Sequence, residues 1–111
     1  MKVYISGPIT GTTDYMERFA EAERRLYEKY GNEVSVVNPA KVNSQLPQDT
    51  TYEEYMKLCL VMLDMCDAIC MIRGWRKSNG ANRELGYALG KKYRVLYEQF
   101  SFSQEGAETD G

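Results

Sequence analysis

The chain of 111 residues contains no histidine. Without an imidazole, any acid or base working near neutral pH has to be a carboxyl, thiol, phenol or amine with a perturbed pKa. Cysteine is scarce as well. Cys59, Cys66 and Cys70 are odd in number and form no CxxC pair. A zinc site needs four N, S or O ligands, so no metal is expected. The three thiols read as reduced core residues of a cytoplasmic protein. No apolar run approaches a membrane span. The opening "MKVYISG" enters a strand without the apolar stretch of a signal peptide, so no membrane partner is expected. Positive charge is not in excess: 14 Lys and Arg stand against 16 Asp and Glu, a formal net charge of -2. Long nucleic acid is therefore disfavoured, because polyanion binding relies on clustered cations. A small anionic ligand is not excluded, since it needs only one local site.

What is present is an alternation of two periods. "KVYISG" is a β-rich run ending at Gly7. In "DYMERFAEAERRLYEKYG", Tyr15, Phe19, Ala22, Leu26 and Tyr30 share a helical face; Asp14 with Glu17 resembles a capping box and Gly31 suits a C-terminal stop. "EVSVVNP" reads as a second strand. Residues 40–50 read as a long polar surface loop, a length often tied to function. Thr51 to Glu54 is a capping box opening a second helix, whose apolar face runs through Tyr55, Cys59, Met62 and Cys66. "DAICMIR" is apolar enough for a strand buried on both faces. A helix follows to about Lys92, and then "YRVLYEQ" as a fourth strand. The order β-α-β-α-β-α-β predicts an α/β fold: a small flavodoxin-like, three-layer arrangement with a parallel four-stranded sheet of order 2-1-3-4 and helices on both faces. Residues 1–100 are expected to form one domain and 101–111 a flexible polar tail.

In such a sheet, ligands bind beyond the C-terminal ends of the strands at the switch point, here between the first and third strands. The loops there are residues 6–13 and 73–80. The first, "SGPITG", offers Ser6, Gly7, Pro8, Ile9 and Thr10. Its backbone N–H groups suit an anion, or it is simply a Gly-Pro turn. The second, "RGWRKSNG", carries Trp75, Arg76, Lys77, Ser78 and Gly80. Trp75 either stacks on a nucleobase or lids the core. Ser78 suits a helix N-cap, a position that also binds phosphate. Glu84 follows among small residues. If Ala81, Leu85, Ala88 and Leu89 face the core, it lies at the margin of that face, near the positive end of the helix dipole, which favours its ionised form. Such a carboxylate could capture the oxocarbenium-like centre of a sugar, or it is a surface acid pairing with Lys77 or Arg76.

Together "VYISGPITG", "CDAICMIRGW" and "SNGANRELGYALG" resemble the nucleoside 2-deoxyribosyltransferase-like superfamily, over about residues 2–97. The nearest branch holds small proteins opening with a YISGPMTG-type motif, related to the 2′-deoxynucleoside 5′-phosphate N-hydrolases. The resemblance implies a flavodoxin-like fold and an N-glycosidase that cleaves 2′-deoxyribonucleoside 5′-monophosphates, as a hydrolase or as a deoxyribosyl transferase to another base. It implies Glu84 as nucleophile, Tyr4 as the group holding it, and Gly7, Ile9 and Thr10 in a phosphate cradle. Ser78 stands where the transferases carry Asp and the nucleotide hydrolases carry Ser, which favours a 5′-phosphate. No metal or redox cofactor is needed, and the partner is a small nucleotide or nucleoside. Members pair subunits, so a homo-oligomer is expected, a dimer or dimer of dimers, with Met56, Met62 and Met65 as a candidate face. One departure stands out. Cys59 occupies the position of an expected Asp, and a thiol is a poorer acid–base partner at neutral pH. Asp64 faces elsewhere, and Asp67 suits a structural role. The alternative is therefore a catalytically weak or inactive nucleotide-binding or sensing protein on the same fold.

Overall fold

The computed structural model describes residues 1–98. Four strands, β1 (Lys2–Ser6), β2 (Ser35–Val37), β3 (Ala68–Met71) and β4 (Arg94–Tyr97), form one sheet of order β2-β1-β3-β4, every pair parallel. The helices are α1 (Tyr15–Tyr30), α2 (Pro39–Asn43), α3 (Tyr52–Asp64) and α4 (Asn79–Gly90). This is the doubly wound arrangement that the alternating periods predict. The expected tail, residues 101–111, lies outside the described residues.

Strand alternation divides the core. Val3 and Ile5 point to one face, where they meet Phe19, Ala22 and Leu26 of α1 and Ala40 of α2. Tyr4 points to the other face, with Ile69 and Met71 of β3, Cys59 and Leu63 of α3 and Ala81 and Ala88 of α4. Ser6, two residues past Tyr4, shares its side. The central strand therefore delivers two hydroxyls to the layer that holds α4.

Several local expectations change. Residues 40–50 are not wholly loop: Pro39 sits in the first turn of α2, and the Asn38 side chain caps it by accepting from the Ala40 N–H at 3.0 Å. Asp14 stands at the N-cap of α1 but makes no side-chain capping bond, because its backbone is not in the extended conformation that aims a cap inward. The capping box of α3 is complete. Thr51 Oγ1 accepts from the Glu54 N–H at 3.1 Å, and Glu54 accepts from the Thr51 N–H at 2.8 Å. Met56 is not on an outer face. It is buried, and the exposed apolar stripe of α3 is Leu58 and Val61, continued by Met65 at its C-cap. The three cysteines are free and buried. Among the described residues, no helix is long and apolar enough to cross a membrane.

Candidate active site

At the C-terminal ends of β1 and β3 lies a cavity of about 500 Å³. The loop after β1 supplies Gly7, Pro8, Ile9 and Thr10. The start of α4 supplies Ser78, Asn79, Gly80 and Ala81, with Lys77 just before, and α3 supplies Tyr52, Tyr55 and Met56. Gly7 is required by close packing: a Cβ there would stand 2.3 Å from Ile72 Cγ1. The loop can leave β1 beside β3 only with no side chain at that point.

Glu84 also lines this cavity, at 5% exposure. It is not at the margin of the α4 core face but on it. Ala81, Glu84 and Ala88 are the buried positions, while Leu89 is 58% exposed. Alanine on either side of the acid lets α4 approach the sheet closely, and the sheet answers with hydroxyls. Tyr4 Oη donates to Glu84 Oε2 at 2.7 Å, and Ser6 Oγ donates to Oε1 at 2.6 Å. Both oxygens thus hold charge-assisted bonds from neutral donors on one strand. The Cys59 thiol lies alongside the same carboxylate.

These contacts pull the Glu84 pKa in opposite directions. Burial raises it and is the largest influence, while the bonds from Ser6, Tyr4 and Cys59 lower it; the net position is above the ordinary carboxylate value. The dipole of α4 has little hold here, because Glu84 sits in the second turn and the field falls off beyond the first. Burial, followed by the nearby carboxylate, pushes the Cys59 thiol up to about 11. Cys59 therefore stays protonated near neutrality and serves as a weak hydrogen-bond donor. Burial also raises the Tyr4 phenol well above its usual value, so it too remains a donor.

The sequence candidates separate into groups. Tyr4, Gly7, Pro8, Ile9, Thr10, Ser78, Gly80 and Glu84 are gathered around the cavity. Ser6 stands behind it, holding the carboxylate. Trp75 does not line it. The indole is 8% exposed and packs against Tyr97 with ring centroids 6.0 Å apart, while the Arg76 guanidinium lies 5.5 Å over it. Of its two readings, core lid is the one observed, because a single 3-10 turn, Trp75–Lys77, directs the ring inward. Ser78 Oγ accepts from the Ala81 N–H at 3.1 Å, the expected N-cap.

Asn82, singled out by no motif, clasps this loop. Its Nδ2 donates to the Trp75, Arg76 and Ser78 carbonyls at 3.2, 3.1 and 2.8 Å. Tyr52, Tyr55 and Met56 of α3 also line the cavity without having been site candidates, although Tyr55 already stood on the apolar face of that helix. With Cys59 they fall at i, i+3, i+4 and i+7, so extending that face back to the first residue of α3 would have added Tyr52 and Met56. Asp64 accepts from Tyr87 and pairs with Lys91 at 3.3 Å on the outside, and Asp67 accepts from the Lys2 N–H at 2.9 Å. Among the described residues, no three His, Cys, Asp or Glu side chains gather as a metal site.

The fold and site define a small parallel α/β domain with a buried, hydroxyl-bound carboxylate at its switch point. Residues 1–97 match the model of the family described as domain of unknown function DUF4406, and the chain belongs to that family. No curated protein matches it. Among solved structures it is similar to a 2-deoxyribosyltransferase from the psychrotolerant bacterium Bacillus psychrosaccharolyticus, with a TM-score of 0.65 and 17% sequence identity. The match covers 93% of this chain and 79% of that one. The likeness shows that the two share a fold.

Proposed function

We propose that the protein cleaves the N-glycosidic bond of 2′-deoxyribonucleoside 5′-monophosphates, with Glu84 as nucleophile. The observation that carries this reading is a carboxylate at the edge of a nucleotide-sized cavity, held by Tyr4 and Ser6 through both oxygens. A solved structure of the same fold, named a 2-deoxyribosyltransferase, supports it by analogy. One Glu84 oxygen bonds to C1′ as the C1′–N bond breaks, and its electron pair leaves with the base, which takes a proton from water. A second water then attacks C1′ and gives its proton to the hydroxide left by the first step, as the ester bond breaks and the carboxylate returns. A second base in place of that water makes the reaction a transfer. Before attack, the carboxylate is kept reactive by donors that stabilise its charge without neutralising it.

The 5′-phosphate is assigned to Lys77 and Ser78 at the N-terminal end of α4 and to the facing loop of Gly7 to Thr10, all of which line the cavity. Ser78 carries no charge that would repel it. The test is release of free base from a panel of deoxynucleotides and deoxynucleosides. Wild type is expected to release base from the monophosphates, and Glu84→Gln to release none above background. Equal release by the two proteins would remove Glu84 from the mechanism.

Cys59 favours a second reading, a nucleotide-binding protein with weak or no turnover, because a thiol pushed up to about 11 by burial is a weak acid toward a leaving base, weaker than the carboxyl the resemblance leads one to expect there. Tight binding without base release over hours would support it. A gain of turnover in Cys59→Asp would show the remaining site to be competent.

A further inference from the structure

If the sugar sits over Glu84, the base needs a platform, and Trp75 is buried away from the cavity. We infer that Tyr52 is that platform, and that the site selects bases by ring area rather than by hydrogen-bonding edge. The inference rests on the nucleotide reading above and deepens it.

Three observations carry it. Among the described residues, Tyr52 is the one aromatic lining the cavity that is also substantially exposed, at 42%. Its ring is braced. The Arg83 guanidinium lies over it, 5.8 Å from the centroid, and is itself held by both Glu53 oxygens at 3.2 and 3.4 Å. Its hydroxyl reaches across to the first turn of α4: a Cβ at Gly80 would meet Tyr52 Oη at 3.4 Å. The ring therefore spans from α3 to α4 at the cavity mouth, and Gly80 leaves room for it. A ring flanked by the Arg83 guanidinium and the first turn of α4 has fewer rotamers left to lose when a base stacks on it.

The polar side chains of the lining, Thr10, Lys77, Ser78 and Asn79, sit on the two segments assigned to the phosphate above, which leaves the wall beside Tyr52 without a side chain to read a base edge. Phe19, Pro39, Met56 and Ile5 are apolar. Tyr55 presents its ring, while its hydroxyl oxygen is shielded and makes no hydrogen bond of full geometry, although the Cys59 thiol lies against it. Every base has a π-face, so such a surface tolerates all of them and favours the larger.

The experiment is calorimetric titration of Glu84→Gln, which leaves substrate intact, with the four 2′-deoxyribonucleoside 5′-monophosphates and with 2-deoxyribose 5-phosphate. The nucleotides are expected to bind at least about tenfold tighter than the sugar phosphate, purines ahead of pyrimidines, from stacking alone. Adding Tyr52→Leu is expected to abolish most of that margin and leave sugar-phosphate affinity unchanged, while Tyr52→Phe keeps the margin. The same substitutions in the otherwise wild-type protein, read as KM for base release, cover the case in which Glu84→Gln is misfolded. A margin that survives Tyr52→Leu, is lost in Tyr52→Phe, or is no greater for purines overturns the inference while the nucleotide reading stands. Failure of both background proteins to bind any nucleotide overturns the two together.

Discussion

Glu84 is an acid held at the expense of stability. Its folded pKa lies above the ordinary 4.5, so the native state binds its proton more tightly than the unfolded chain does. Stability then falls as pH rises from about 4.5 through the higher folded value, and the loss is complete above it. Glu84→Gln removes the charge. At neutral pH its melting temperature is expected to exceed wild type, by a gain that shrinks to nothing as pH drops below 4.5, while base release is lost about a thousandfold or more. Calorimetric melting across pH 4–8 beside the activity assay checks both signs. Tyr4→Phe removes a donor that favours the ionised form. Its acid limb in the pH–rate profile is expected to move to higher pH, because the carboxylate then protonates more readily. A limb that stays in place, or moves down, contradicts the role given to Tyr4.

At the scale of elements, capping separates two sequence signals that look alike. Thr51 and Asp14 both read as N-caps, but only Thr51 makes the bonds. Thr51→Ala is expected to cost about 1 kcal/mol and several degrees of melting temperature, whereas Asp14→Ala should cost under about 0.5 kcal/mol. Equal losses would mean that α1 is capped as α3 is. In the loop after β1, Gly7→Ala forces a methyl onto Ile72. A loss of about 1–3 kcal/mol in urea titration is expected, with weakened nucleotide binding because the loop moves off the end of β3. The elements themselves were legible in the sequence, since strands and helices differ in apolar period. α2 was not: a five-residue helix has too few turns to show a period, and only its Asn38 cap and Pro39 mark it.

For the whole molecule, the outer face of α3 is where a second copy would dock. Leu58, Val61 and Met65 form an exposed apolar stripe, with Val61 62% exposed. The expected homo-oligomer would bury it, by contact between like faces. Val61→Glu is expected to shift the sedimentation coefficient from that of a dimer to that of a monomer; a wild-type protein that is monomeric at tens of micromolar would end this expectation. The sequence pointed to the Met residues of this helix, but Met56 turns inward against the cavity. One helix carries both a site face and an outer face, and composition does not tell them apart.

The sequence alone determined the order of elements, their parallel pairing and the two loops that meet at the switch point, because these follow from local period and from the handedness of crossovers. It also marked Glu84 as unusual. What only the tertiary structure decided is which way each ring and acid turns. Glu84 faces inward because Tyr4 and Ser6, some eighty positions away, supply its hydrogen bonds. Trp75 is withdrawn and Tyr52 presented because packing across α3, α4 and β4 sets their orientation. Long-range contacts fix such choices, and a local pattern carries no record of them.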